Sequence, residues 1–583
     1  MKFKRMILGL CLMLGLVLAQ DLPRNETVIF DIDGGNVTAP TNFNWMVPGT
    51  ARNQGMHQAV WEPLFILNYE TGEIMPYLGL EFTSNEGLDV WTLKLRDGVK
   101  WSDGEAYNAD DVVFTLNLLL GDETASLGEA ANMQQWVSSV EKVDDLTVVF
   151  NLKAPNPRFQ LDYWSVRIWG GAIILPEHVW AGQDPFTFTY YDPEKGWPLG
   201  TGAYKLTSAS ETRFTYERDD NWWGKDVSIP QMGIDGLPKP KYLVWEVTGA
   251  EENKVQLASS GELDSVMDVT LGGFEAMVAN NANIIGWVDG MPYVWFDPCP
   301  RQLSFNTAVA PWDDKDLRWA VNYIMDRNQI IDVAYEGTTI PSQTMFVEYG
   351  GLLNVIKGIT DAGMTLSTTA DVEKGKALIE SKGWTMGANG FYEKDGKTLA
   401  IEIQTHAAFI EKQRIAAVLV EQLRSAGIDA STRNVEGGTW DDNKQNGNYS
   451  AVMDWDACGS INEPWNSMNR FTGQFARPVG ERVVGGNNHV RWTGAGNDAY
   501  SAIVEKIGVL PLGDPQIVPM VVEAYKYLYD DMPFIPVTQA RKLVPFDTTY
   551  WTGWPTQANN YNHPATWWMS THQIIHNLEP AGN

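Results

Sequence analysis

Few side chains in this sequence stand at the spacings that catalysis needs. His572 and His576 lie four apart in His572-Gln573-Ile574-Ile575-His576, the spacing by which two imidazoles on one helix face hold zinc. Gln573 occupies the position where a metalloprotease needs its glutamate base, so the pair reads as surface residues. Ser139-Val140-Glu141-Lys142 has the S-x-x-K spacing of an acylating serine, but no S-D-N follows and Gly396-Lys397-Thr398-Leu399 half-matches K-T-G. Gly200-Thr201-Gly202 lacks the third glycine of a dinucleotide loop, and neither a nucleophile elbow nor a P-loop occurs. With 73 acidic residues some carboxylate pair can always be nominated, so no pair is informative about glycoside hydrolysis. The residues argue for binding rather than turnover, with no cofactor and no metal.

What the sequence has in excess is flat rings. Its 25 Trp outnumber its 21 Phe and its 21 Tyr, and Thr548 to Ser570 reads TTYWTGWPTQANNYNHPATWWMS, with neither a helical stripe nor strand alternation. A pyranose has apolar C–H faces and a rim of hydroxyls; an indole covers the face while Asn, Gln and Asp pair with the rim. A rim hydroxyl left unpaired in a closed site costs about 1–3 kcal/mol, so amides should flank the rings. Asn42-Phe43-Asn44-Trp45, Asn462-Glu463-Pro464-Trp465-Asn466 and Trp554 to Trp568 have that pairing. Aromatic core explains the same composition, so rings alone do not choose between the two.

The elements that would position these rings belong to a large exported chain. At 583 residues it exceeds one core and predicts three or four units, at roughly 150 residues each. Lys2, Lys4 and Arg5 precede an uncharged run from Met6 to Leu18, a secretory leader (residues 1–19) cut after Ala19; Cys11 belongs to its apolar run. Cys299 and Cys458 then remain, and spacing does not say whether they meet. The 43 basic and 73 acidic residues give −30, or −33 without the three leader cations, which repels nucleic acid. No other stretch approaches the roughly 20 apolar residues of a membrane span.

Mixed α/β lobes are expected. Trp91, Leu93 and Leu95 alternate with polar residues as a half-buried strand; Asn108 caps a helix to about Leu120 with Asp110 and Asp111 in its first turn. Helices are also expected from Asp371 to Lys382, Ile410 to Ser425 and Pro515 to Tyr529, with a strand in IDASTRNV after Gly427.

Trp91 to Thr115, W-x-L-x-L-R-D-G-V-K-W-S-D-G-E-A-Y-N-A-D-D-V-V-F-T, resembles the signature of the extracytoplasmic solute-binding proteins of the dipeptide and oligopeptide family, family 5, which serve ATP-driven importers. Gly200 to Lys205, Asn221-Trp222-Trp223-Gly224, Phe305-Asn306-Thr307, Asp316 to Arg327 and Met532 to Val537 follow in the family's order, over nearly the whole mature chain. The resemblance implies a periplasmic-binding-protein-like fold, type II, cluster C: two α/β lobes joined by a two-crossover hinge, plus a third domain. Lobe I would comprise residues 20–62, 196–298 and 545–583, lobe II 63–195 and lobe III 299–544, with ligand held between I and III.

Peptide-binding members resemble W-C-A-D-Y-N-E-P in lobe III, whose Asp meets the peptide amino terminus. Here the run is Ala457-Cys458-Gly459-Ser460-Ile461-Asn462-Glu463-Pro464, with Ser460 at the charged position, which speaks against a buried ammonium unless Asp454 or Asp456 substitutes. Pro40 to Trp45, Trp551 to Thr556 and Trp567-Trp568 look like the branch binding cellobiose, laminari- and manno-oligosaccharides. The expected function is capture of β-linked oligosaccharides for a membrane permease, by a monomer in the periplasm or outside the cell. Trp45, Trp551, Trp554, Trp567 and Trp568 of lobe I and Trp455 and Trp465 of lobe III are the stacking candidates. Asn42, Asn44, Asp456, Asn462 and Asn466 are the rim partners, with Trp295 and Gln302 added near the first crossover. Peptide binding on the same fold and a glycan-active enzyme are the alternatives.

Overall fold

The computed structural model describes residues 22–32 and 35–582, so the leader lies outside the described residues. Three sheets organise the chain, and we name the body around each a lobe. In lobe I, Thr27–Ile32 pairs in parallel with Tyr242–Val247, followed by antiparallel Arg213–Arg218 and Tyr204–Ala209. Lobe II is an antiparallel sheet, Gly79–Ser84, Val90–Leu95, Thr147–Leu152 and Val137–Asp144, beside a small sheet that includes Phe65–Leu67. Lobe III has five strands in the order Asp429–Val435, Ala400–His406, Ala451–Asp454, Trp295–Phe305, Phe534–Lys542.

Local sequence explains these elements. In Val90–Leu95, Trp91, Leu93 and Leu95 are buried while Lys94 is exposed. Asn108 Oδ1 accepts from Asp110 N at 2.7 Å and Asp111 Oδ2 accepts from Asn108 N at 3.1 Å, a reciprocal cap that starts Ala109–Leu120. Asp371 caps Val372–Ser381, and Ile410–Ser425 and Ile517–Asp531 form where expected.

Lobes I and III are joined by two long strands, Trp295–Phe305 and Phe534–Lys542, paired antiparallel. Their ladder shifts register between Asp297 and Arg301, and again before Gln302. Pro298 and Pro300 have no N–H to give it. This two-strand crossing is the hinge. One apolar cluster ties all three bodies together at its lobe-I end: Leu67, Tyr69 and Ile168 from lobe II, Trp295 and Ala565, and Tyr349 with Phe346 from lobe III. Cys299 on the hinge strand is bonded to Cys458, with Cα atoms 4.2 Å apart, pinning the loop after Ala451–Asp454 to the crossing.

Candidate functional site

Two neighbouring features flank the hinge: a ring cluster at the lobe junction and a charged ledge on lobe III. In the cluster, Trp295 opens the hinge strand and is 2% exposed. Its ring lies near-parallel to His563 at 5.4 Å and to Tyr349 at 6.2 Å, with Trp568 edge-on at 6.3 Å and Tyr69 edge-on at 6.2 Å. Trp568 also meets Trp169 of lobe II at 6.3 Å and Trp567 at 5.2 Å, and both tryptophans of the pair remain half-buried. The polar ends of this box are tied down. Tyr69 donates to Asn560 Oδ1 at 2.7 Å, Tyr349 to Phe296 O at 2.5 Å, and His563 Nε2 pairs with Ser570 Oγ at 2.7 Å. Burial pushes the His563 imidazole down to about 3, so it is neutral.

On the ledge, half-buried Trp455 receives the Lys412 ammonium 3.0 Å from its ring centre, with Arg301 at 5.2 Å and Phe409 edge-on at 4.8 Å. Asp454 and Asp456 lie beneath it. Lys444 Nζ stands 2.6 Å from Asp454 and 3.1 Å from Asp456, Lys412 is 3.5 Å from Asp454, and His489 Nε2 is 3.1 Å from Asp456 Oδ2. Burial raises Asp456 to about 7, helped by the neighbouring Asp454, and lowers Lys412 to about 7. Asp454, Asp456 and His489 converge tightly enough to hold a cation, and the cation that the chain itself supplies there is Lys444.

Placed in the fold, the expected site residues separate into groups. Trp45, Trp551 and Trp554 are packed in the interior of lobe I. Trp551 Nε1 donates to Thr27 O at 2.8 Å, Trp554 stacks on Phe546 at 4.5 Å, and Trp45 is 4% exposed against Gly128. Asn42 and Asn44 are loop fixers: Asn42 Oδ1 accepts from Asn44 N at 3.1 Å, and Asn44 uses its amide on Pro185 O and Met46 N. Gln302 is saturated by Ala457 N and Ser304, and Asp456 by Lys444. Asn462 packs on Gly72 and Gly351, Trp465 Nε1 donates to Val504 O, and Asn466 lies over Gly459. Trp295, Trp455, Trp567 and Trp568 remain at the two features.

Of His572 and His576, read as surface residues, the first is buried instead and the second half-buried. His572 Nε2 meets Trp61 O at 3.0 Å and His576 lies 5.2 Å from the Trp222 ring. Sequence reasoning missed Tyr69, Trp169, Tyr349, His563 and Lys412, which no motif marks. A cavity of about 750 Å³ lies to one side, in lobe I, lined by Phe274, Trp287, Tyr293 and Gln557; it touches neither feature's polar groups.

A hinged pair of α/β lobes with a third body and rings gathered at the junction defines a binding protein that encloses its ligand. Residues 73–477 match bacterial extracellular solute-binding proteins, family 5 Middle, and the chain belongs to that family. It is thus a solute-binding protein of a bacterial extracellular family. It is 25% identical over 399 residues to the nickel-binding periplasmic protein of Escherichia coli K12, covering 67% of this chain and 68% of that one. It is 23% identical over 477 residues to the oligopeptide-binding protein AppA of Bacillus subtilis 168, covering 80% and 79%. A crystal structure of the periplasmic oligopeptide-binding protein of Thermotoga maritima superposes with TM-score 0.81 at 23% identity, over 96% of this chain and 99% of that one. The mannohexaose-bound form of that protein superposes at 0.75 with 22% identity, over 96% and 100%. These relatives are binding proteins. No helix among the described residues is long and apolar enough to cross a membrane.

Proposed function

We propose that this protein captures an uncharged, ring-shaped solute, a β-linked oligosaccharide, between lobes I and III and delivers it to its permease as a monomer. The observation that carries the reading is the gathering of Trp295, Trp567, Trp568 and Trp169 with Tyr69 and Tyr349 from all three lobes at the hinge. Closure of the lobes on a sugar would bring indole planes to its faces from more than one side, a contact available only when shut, and that difference drives the population toward the closed form.

The ledge supports an uncharged cargo. Ser460, which stands where a peptide's ammonium would need a carboxylate, is buried in a reciprocal bond with Ser467, N to Oγ at 2.9 and 3.0 Å. Asp454 and Asp456, the possible substitutes, are already paired with Lys444, and Asp454 also with Lys412. The mannohexaose held by the T. maritima neighbour agrees with a saccharide. Short peptides are the second reading, favoured by the oligopeptide names of several relatives. Isothermal titration and tryptophan fluorescence with cello-, laminari- and manno-oligosaccharides and with tri- to pentapeptides decide between them. Saturable saccharide binding is expected; tight peptide binding with no response to any saccharide overturns the proposal.

A further inference from the structure

Lobe II reaches lobe III through a buried ion pair that the ring cluster does not need. Arg158 follows the lobe-II strand Thr147–Leu152 and is 1% exposed. Its Nε lies 3.2 Å from Glu463 Oε2, its Nη1 donates to Gly508 O at 2.8 Å, and its guanidinium carbon lies 5.0 Å from the Trp465 ring centre. Nη2 is buried with no hydrogen-bond partner among the described residues. The same Glu463 carboxylate accepts from Trp465 N at 3.0 Å and Asn466 N at 3.3 Å, the first two amides of the short helix Trp465–Asn469. The Arg therefore holds the group that shapes the loop from Cys458 onward.

Close packing surrounds the pair. Gly350 N of lobe III donates to Glu70 Oε2 of lobe II at 3.2 Å, and a Cβ on Gly350 would fall 2.4 Å from Glu70 O. Asn462 packs on Gly72, where a Cβ would lie 3.2 Å from its amide nitrogen. These glycines let the lobe-II turn at Glu70 to Gly72 and the lobe-III segments approach backbone to backbone. A guanidinium and a carboxylate drawn from water into such a seam hold it only while both are present, because either alone is a buried unpaired charge.

We infer that Arg158 is a positioning residue and, with Glu463, a latch: lobe II fastens to the Cys458–Asn469 loop of lobe III and thereby holds the cleft shut. This rests on the reading that lobes I and III open and close about the hinge, and it gives lobe II a share in how long a captured solute stays. Opening would part the two groups and return both to water, so removing the pair is expected to shift the balance toward opening.

The test needs no solute and is therefore independent of what the protein carries. Amide hydrogen exchange and solution X-ray scattering are recorded on the ligand-free, full-length mature protein and its Arg158→Ala and Glu463→Gln variants. Expected are roughly tenfold faster exchange at Trp465, Asn466 and Gly350 and a larger radius of gyration, with the central lobe-III strands Ala451–Asp454 and Phe534–Lys542 unchanged. Arg158→Lys, which keeps the charge and loses the fork, serves if Arg158→Ala does not fold, and is expected to lie between. Unchanged exchange and radius overturn the inference. So does faster exchange spread evenly through lobe III, which would make the pair a support of that lobe's own fold.

Discussion

At the scale of residues, a tryptophan here has one of two jobs, and exposure and partner separate them. Trp554 is stacked on Phe546 at 4.5 Å and 2% exposed. Trp554→Ala should cost about 3–5 kcal/mol, read as a lowered urea midpoint, with solute affinity of the folded fraction unchanged. Trp568 is half-buried at the lobe junction. Trp568→Ala should move the midpoint by under about 2 kcal/mol while weakening binding of the best saccharide roughly tenfold, as titration calorimetry would show. A lost midpoint with intact affinity would place Trp568 in the core instead. Sequence could not sort these two, because both sit in the same ring-rich stretch and an indole is at home in either setting. The short amides were equally ambiguous: Asn562 spends its amide on Ser570 O at 2.8 Å, a loop role that the pattern Asn-plus-Trp also fits. Tyr69 and Tyr349 were invisible because their value comes from a contact, 5.0 Å ring to ring, between residues far apart in the chain.

At the scale of elements, the regular pieces were legible and the irregular ones were not. Strand Val90–Leu95 and the helix capped by Asn108 follow from side-chain period and capping chemistry, which act within a few residues. The loop from Trp455 to Arg470 has neither period nor cap. Its shape comes from distant groups: Arg158 at a separation of 305 residues, Gln302 at 155, and the Cys299–Cys458 bond at 159. Opening that bond in a Cys299→Ser, Cys458→Ser double variant should lower unfolding free energy by about 2–4 kcal/mol, through the long loop released in the unfolded chain, and the same loss should follow when the native protein is denatured under reducing conditions. The ledge beneath the loop should be more sensitive still. Lys444→Met leaves Asp454 and Asp456 buried with too little positive charge, an expected cost of about 3–5 kcal/mol. Adding Asp456→Asn to Lys444→Met should recover part of it. If the double variant is no better than the single one, the carboxylates are not what Lys444 holds in place.

At the scale of the whole molecule, the burial that shuts these lobes together also fixes how stability responds to pH, because it moves acids and histidines in opposite directions. Burial raises Glu62 to about 8, though Tyr77 and Trp223 both donate to it, Asp264 to about 6 against Arg24, and Asp456 to about 7. Each has a folded value above its unfolded value of about 4, so the folded state keeps a proton that the unfolded state releases; the stability this lends is full below pH 4 and is lost as pH rises through the folded value. Burial lowers His563 to about 3, His572 to about 4, and His489 well below its usual range. For these the unfolded state takes up protons from about pH 6.5 downward while the folded state does not, so stability falls as pH falls. Asp162, raised to about 6, and Asp111 and Asp297 join the acids, and His57 and His576, lowered to about 3, join the histidines, so between about pH 4.5 and 6 the two kinds oppose one another and their slopes largely cancel. Below pH 4 the acids titrate in the unfolded chain too and their slope vanishes, while the histidines whose folded values lie near 3 still resist protonation, so stability falls steeply there. Urea unfolding at pH 3.5, 4.5, 5.5 and 6.5 should therefore give a flat free energy over the upper three points and a sharp drop at the lowest. Glu62→Gln should tilt the flat region, making stability fall on acidification, because it removes one of the opposing acids. A wild-type free energy that declines steadily from pH 6.5 to 4.5 would mean that the buried acids are ionised in the folded protein and that the balance described here does not exist.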